Sequence, residues 1–441
     1  MMPTQEDETP EELSQAKRIQ TTTKKVTIVV LGDIGRSPRM GYHALSLVEE
    51  GYFVHLIGYG ESPLPSNISN NKSIWVDFMP PVPLFIQSLP RLISYPLKVA
   101  WQLLLLSWAF VWMILRYQFF PHYILLQNPP AIPTLTVCYL FSKVLFADFV
   151  VDWHNYGFTL MGISIGEKHP LVKLSKFVED YFGARADKHL CVTKAMKEDL
   201  GRRLAIEAVT LYDRPPEKFK PLSEEERKAF LVKLSKDFPS LKSIANKGVE
   251  LNGRPGILIS STSWTEDEDF NILLSALQDY ETASRDEPTF YPKLIVFITG
   301  KGPQKEYYSK IIQSIDFKNV EINLPWLEHD DYPSLLACGD LGISLHYSSS
   351  GLDLPMKVVD MFGCGLPVCA VNFNCLPELV RNGESGYIFN DSTELANQIQ
   401  NWFKISSKPN PHHKKFRENL KKFRSLKWHE NWKFNALPIF S

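Results

Sequence analysis

Between residues 348 and 370 a serine-rich loop carries Ser349, Ser350 and Gly351, and six to twelve residues further on come Lys357, Asp360 and a glycine stop at Gly363. A loop of small residues that feeds a helix start presents unpaired N–H groups and a partial positive charge, which suits a phosphate. Lys357 would add a full charge beside it, and Asp360 would accept hydrogen bonds from sugar or ribose hydroxyls. Two more small-residue turns have the same character. One is Ser263–Trp264 after an apolar run at 256–260, and the other is Gly300, Lys301 and Gly302 after 293–298. Glu378, just beyond Pro377, opens one more helix near these turns.

Nearer the start, Gly32 to Arg39 contains Asp33, Arg36 and Arg39 directly after a Val/Ile-rich run. The glycines and two arginines could face an anion, but the loop lacks the GxGxxG spacing of a dinucleotide site. Asp152, His154 and Asn155 follow a second apolar run. A histidine just past a strand end, with an aspartate two residues earlier, is placed to act as a general base or to grip an acceptor. The acids at 267–269 form a D-x-D spacing, which capping of the helix at 270–280 explains more simply than a metal does.

These residues need elements that bring them to one sheet edge. The chain alternates apolar, β-branched runs with amphipathic stretches. Strands are predicted at 25–31, 54–58, 123–127, 149–152, 188–192 and 209–212, and again at 256–260, 293–298, 321–324, 341–345, 366–371 and 387–389. Helices fall between them, which is the pattern of doubly wound parallel sheets whose ligands gather at the carboxyl ends of strands. The fold class expected is therefore α/β, with two Rossmann-like doubly wound domains and a cleft between them. The first covers 25–216, the charged stretch 217–254 serves as a linker, the second covers 255–405, and a helical tail runs over 406–441. Residues 1–24 are polar, carry no signal-peptide pattern and are expected to be disordered.

With 48 basic and 49 acidic residues, the charge balance does not favour nucleic acid. The six cysteines lie in apolar runs without CxxC spacing, as reduced, buried thiols do. The segment 97–115 is different: it has no charge between Val99 and Leu115, is crowded with Leu and Trp, and ends in Lys98 and Arg116. Spaced tryptophans and basic ends favour contact with lipid, with Leu104 and Phe110 as lipid-facing positions; its length is borderline for a span.

The blocks 32–40, 152–157, 261–270, 299–303 and 349–362 together resemble one family, the chitobiosyldiphosphodolichol β-mannosyltransferases, in the same order over about residues 25–435. The resemblance implies a GT-B fold and transfer of mannose from GDP-mannose to dolichol-linked chitobiose at the cytosolic face of the endoplasmic reticulum membrane, alongside other dolichol-pathway glycosyltransferases. It implies no tightly bound cofactor and leaves stimulation by Mg2+ open. GDP-mannose would then meet Ser263, Trp264, Gly300, Lys301, Gly302, Ser349, Ser350, Gly351, Lys357, Asp360 and Glu378. Arg36, Arg39 and Asn155 would meet the acceptor or its phosphates. Many related transferases carry a Glu-x7-Glu pair in the donor domain; here Asp360 matches the second acid, and Leu352 stands where the first would fall. That departure is consistent with an inverting, β-forming enzyme. Its base would come from the first domain, with Asp33 ranked ahead of His154 because the first-strand loop often carries it. Members of the family usually begin with a membrane anchor, whereas residues 1–24 here are polar. A non-catalytic membrane partner of the same fold, or a retaining transferase or phosphorylase acting on a soluble glycan, are the alternatives.

Overall fold

A computed structural model of the chain describes residues 24–245, 247, 254–266, 268–328, 330–406 and 410–441. The expectation for residues 1–24 thus lies almost wholly outside the described residues, and so does Asp267 of the D-x-D spacing.

The chain separates into two compact units. One gathers the described residues up to Tyr212 together with His429–Ser441, and the other takes Asp213–Trp428. The first holds a seven-stranded parallel sheet in the order β3-β2-β1-β4-β5-β6-β7. Its strands are β1 (Lys25–Asp33), β2 (Phe53–Tyr59), β3 (Ile74–Phe78), β4 (Tyr123–Asn128), β5 (Asp148–Trp153), β6 (Lys188–Cys191) and β7 (Val209–Thr210). β1, β4 and β5 are buried on both faces, which explains their unbroken apolar runs. β3 went unread in the sequence because Trp75, Val76 and Asp77 give too short and mixed a pattern.

Five helices of this unit matter here: α1 (Pro38–Glu49), α2 (Arg91–Tyr117), α3 (Thr134–Leu145), α4 (Gly157–Ile165) and α5 (Pro170–Gly183). The apolar segment expected at 97–115 is the greater part of α2, which continues through Pro96 to 27 residues. Phe110 corrects the expectation of a lipid-facing position. It is fully buried and stacks on Phe141 of α3 at 4.6 Å, whereas Leu104 is exposed.

The second unit holds a six-stranded parallel sheet, β10-β9-β8-β11-β12-β13. Its strands are β8 (Gly256–Ser261), β9 (Leu294–Thr299), β10 (Val320–Asn323), β11 (Leu341–Ser344), β12 (Val368–Val371) and β13 (Gly386–Phe389). The stretch 217–254 is more than a tether. Ser223 and Glu226 form a capping box that starts α6 (Glu224–Leu234), and α6 buries Phe230, Leu231 and Leu234. α7 (Phe270–Asp286) and α8 (Met356–Gly363) complete the elements that reach the site. Beyond Cys375 the helix expected at Glu378 is a single 3-10 turn, Leu376–Glu378.

The tail expected as one helical segment is divided. Trp402 is buried in the core of the second unit, whereas α9 (Trp428–Asn435) carries Trp432 into the first. There Trp432 stacks on Phe440 at 5.8 Å, and Tyr52 donates to the Phe440 carbonyl at 2.5 Å. All six cysteines are free and buried.

Candidate functional site

In the first unit the carboxyl end of β5 delivers Asp152, which is wholly buried and surrounded by cations and imidazoles. Arg39 of α1 donates to both of its oxygens, at 2.7 and 2.9 Å, and also to the Leu211 carbonyl at 2.8 Å. His43, one turn further along α1, meets the Asp152 Oδ2 at 3.1 Å, and His154 Nε2 reaches the same oxygen at 2.8 Å. Burial would raise the Asp152 pKa, but Arg39, His154 and His43 outweigh it and hold the carboxyl well below the usual range. The group is therefore an anion at neutral pH.

The hydrogen bonds define the imidazole tautomers. Trp432 donates its indole N–H to His43 Nδ1 at 2.8 Å, so the His43 proton sits on Nε2 and points at Asp152. An ionised Asp152 likewise takes the His154 Nε2 proton, which leaves Nδ1 of that partly exposed ring as an acceptor. A proton taken up there would be stabilised by the buried carboxylate behind it.

Arg39, expected to face an anion, is 4% exposed and committed to Asp152 and Leu211, so its role is to hold that carboxylate. Arg36 remains the outward arginine, touching Ser62 at 3.1 Å and Asp33 at 3.4 Å. Asn155 is buried and turns inward: its carbonyl accepts from Asn128, and its Oδ1 accepts the Tyr156 N–H at 2.7 Å. Glu179 of α5, unread in the sequence, is fully buried and accepts from Asn128, the Gly157 N–H and the Phe158 N–H. It caps the start of α4 and so pins the loop carrying His154. Its position at the inner spacing of Val172 and Ser175 was a readable signal.

Asp33 has a different character. Its side chain, 7% exposed, accepts the Gly35 and Ser62 N–H groups at 3.2 and 3.1 Å and caps a short 3-10 turn. Burial works to raise its pKa, but Ser62, Gly35 and Arg36 together hold it below the ordinary value. A general base must be open to the hydroxyl it serves, and the His154 side chain is 22% exposed against 7% for Asp33. The geometry thus favours His154 over Asp33, the reverse of the expected order.

In the second unit the loops after β8 and β9 run against each other. A Cβ on Gly300 would lie 1.8 Å from the Thr262 carbonyl oxygen, and one on Gly302 would lie 1.7 Å from that of Ser263. Gly300 also adopts φ +121°. Both glycines are required by this close backbone approach. Trp264 departs from its expected place among the donor contacts. Its indole is 1% exposed and packs on Phe270 and Tyr308 in the core, leaving its carbonyl to accept from Gln304 at 3.0 Å.

Lys357, in the first turn of α8, donates to Ser263 Oγ and to Glu268 Oε1, each at 2.8 Å. Glu268 is buried and also accepts from the Ser263 N–H at 2.6 Å and from the Thr262 hydroxyl. The acid cluster therefore divides: Asp269 caps α7 through the Asn271 N–H, as expected, while Glu268 turns back to hold Lys357 beside Ser263. An ammonium with three donors keeps one for a ligand after these two bonds. Lys301 lies 3.6 Å over the Trp326 ring, a pairing invisible in the sequence.

The serine loop is organised from within. Ser348 donates to Asp353, Ser350 receives the Leu352 N–H at 3.2 Å, and the Gly351 carbonyl accepts the Cys375 N–H at 3.2 Å. Ser349 and Gly351 lie half-buried on the same loop, ahead of α8. Asp360 sits one turn beyond Lys357. Burial raises its pKa to about 7, with Lys218 opposing and Asp213 adding to the rise. Glu378 ends the 3-10 turn and is half-buried.

Residues 243–423 match the model of the glycosyl transferases group 1 family. A chitobiosyldiphosphodolichol beta-mannosyltransferase of Pongo abelii is 45% identical over 95% of this chain and 93% of its own length. The chain belongs to the chitobiosyldiphosphodolichol beta-mannosyltransferase family. It is a glycosyltransferase. A relative in Arabidopsis thaliana, named UDP-glycosyltransferase TURAN, is 41% identical over 86% of this chain and 89% of its own. Among solved structures, sucrose-phosphate synthase from Thermosynechococcus elongatus superposes with a TM-score of 0.66 at 14% identity, over 95% of this chain and 97% of that one. That likeness shows the fold: two Rossmann-like units of the GT-B kind.

Proposed function

We propose that this chain transfers mannose from GDP-mannose to a GlcNAc2-diphosphodolichol acceptor with inversion, forming a β1,4 bond on the cytosolic face of the endoplasmic reticulum membrane. The observation that carries the reading is the match to named β-mannosyltransferases along nearly the full length of both chains. The geometry supports it at two points. In the first unit the acceptor hydroxyl gives its proton to His154 Nδ1, and the buried Asp152 carboxylate behind the ring stabilises the imidazolium. In the second unit the leaving diphosphate gathers at the start of α8, between Lys357, Ser349, Gly351 and Lys301, as negative charge develops on it. Asp360 and Glu378 take hydroxyls of the nucleotide sugar.

The Arabidopsis relative's name favours a second reading, a UDP-sugar donor on the same fold. Both are tested together by incubating the purified chain with a short-lipid GlcNAc2 diphosphate and labelled GDP-mannose, or labelled UDP-glucose or UDP-GlcNAc, with and without Mg2+. A β-mannosidase-sensitive trisaccharide lipid formed from GDP-mannose alone is the expected result. Transfer from a UDP-sugar and none from GDP-mannose would overturn the donor, and an α-linked product would overturn inversion.

A further inference from the structure

We propose that α2, α3, α4 and α5 form one continuous face of the first unit that lies flat on an anionic lipid bilayer. In the order β3-β2-β1-β4-β5-β6-β7 the chain moves one way from β1 to β3 and the other way from β3 to β6. Right-handed crossovers therefore put α2, α3 and α5 on the sheet face opposite α1. Ring contacts knit them into a layer: Phe110 of α2 on Phe141 of α3, and Tyr139 of α3 on Phe182 of α5 at 5.7 Å.

Each of these helices exposes apolar side chains on its outer side. The inner side of α2 buries Leu106, Phe110 and Met113 completely. Its outer side exposes Ile93, Leu97, Leu104, Trp108 and Leu115, spaced by four or seven residues along one stripe. α3 repeats this with Leu140 and Val144 and ends at Phe146, which is 96% exposed; α5 does so with Leu174, Phe177 and Tyr181, and α4 with Leu160 and Ile163. Isolated exposed apolar residues are ordinary, but four neighbouring helices with aligned outer stripes make a patch that needs an occupant.

Charge identifies the occupant. From Phe78 to Ala147 the sequence holds no Asp or Glu, while Lys98, Arg116 and Lys143 lie along it. On α5 and its flanks exposed Lys168, Lys173, Arg185 and Lys188 outnumber Glu167 and Asp187, and Lys143 is paired with Asp187 at 3.2 Å. An apolar face with basic residues around it complements an anionic lipid surface. α2 is long enough to cross a membrane, but its inner side packs on α3 and the sheet of the first unit while only its outer stripe is exposed, which places it in the plane of the interface.

The proposal does not rest on the donor or the base, and flotation reads it without any transfer step. The full chain is mixed with vesicles of phosphatidylcholine alone, or of phosphatidylcholine with phosphatidylinositol, and the floated fraction is measured. Three variants are compared: Leu104→Asp with Leu115→Asp on α2, Phe146→Asp at the end of α3, and Phe177→Asp on α5. Each alters exposed side chains, and unchanged circular dichroism and melting confirm folding. Binding is expected to favour the anionic vesicles and to fall about tenfold or more in every variant. Loss in the α2 variant alone would overturn the four-helix face in favour of a single docking helix. Absence of vesicle binding, with self-association seen by light scattering, would make the occupant a second copy of the chain. Equal binding to neutral vesicles would remove the charge argument.

Discussion

A proton acceptor must be open on one side and supported on the other; His154 meets both conditions, whereas Asp33 is supported by Gly35, Ser62 and Arg36 but almost closed to solvent. His154→Gln is expected to lower turnover by about 10²–10⁴ at saturating donor, the usual loss for a general base, while Asp33→Asn keeps turnover within about tenfold. The opposite ranking in that assay would return the role to Asp33. Lys357 lends itself to a direct binding test. Lys357→Ala is expected to weaken GDP-mannose by about 1.5–3 kcal/mol, the range for a charge-assisted contact. Calorimetry that returned an unchanged Kd would remove Lys357 from the donor site. Asp360 makes a pH prediction. Its folded-state carboxyl titrates at about 7, above the value of an unfolded chain, so the folded state holds the proton more tightly. The resulting stability is fully present below about pH 4 and is lost as pH rises through about 7, a change of up to about 4 kcal/mol. Asp360→Asn cannot ionise, so its melting temperature should lack this fall and exceed that of the parent at pH 8. Parallel melting curves for the two across pH 4–8 would show that Asp360 does not titrate this way.

Elements decide whether those side chains can act. α1 supplies Arg39 and His43 from one face, β5 supplies Asp152, and α9 supplies the indole that orients His43. Trp432→Phe keeps most of the packed ring but removes the donor to His43 Nδ1. Leaving that nitrogen unpaired costs about 1–3 kcal/mol of stability. It also frees His43 to switch tautomer and withdraw its proton from Asp152. The variant is therefore expected to lose kcat with little change in donor KM, and to shift the pH profile of kcat. A merely structural Trp432 would lower melting and leave the pH profile in place.

At the scale of the whole molecule, the chain leaves its first unit at Tyr212, builds the second, and returns at His429. The return is tightly held: Trp432 and Phe440 are fully buried, His429 meets Ser46 at 3.1 Å, and Lys433 pairs with Glu50 at 2.7 Å. Ending the chain at Trp428 would strip these from α1 and β2. The first unit is then expected to lose several kcal/mol, roughly the cost of emptying two aromatic sites. Hydrogen exchange of the α1 amides would show this as lost protection, and parent-like protection in the truncated chain would count against it.

Much was legible without neighbours, because burial on both faces forces strands into apolar runs, and small residues before a helix start have few other uses. On that basis the α/β class, twelve of the thirteen strands named here and the loops around Lys357 and His154 follow from local pattern. The family could be recognised from the order of its motif blocks. What local pattern does not hold is which side chain meets which across the fold. Glu268 looked like one more capping acid until Lys357, 89 residues away, lay 2.8 Å from it. Trp264 looked like a contact residue but packs into the core, and Arg39 looked like an anion site until its guanidinium met both oxygens of Asp152 and the Leu211 carbonyl. His43 carried no signal, because its chemistry comes from Asp152 on one side and Trp432 on the other, 109 and 389 residues along the chain. Periodicity encodes which way a residue faces, and only tertiary packing supplies the partner that sets its charge, tautomer and role.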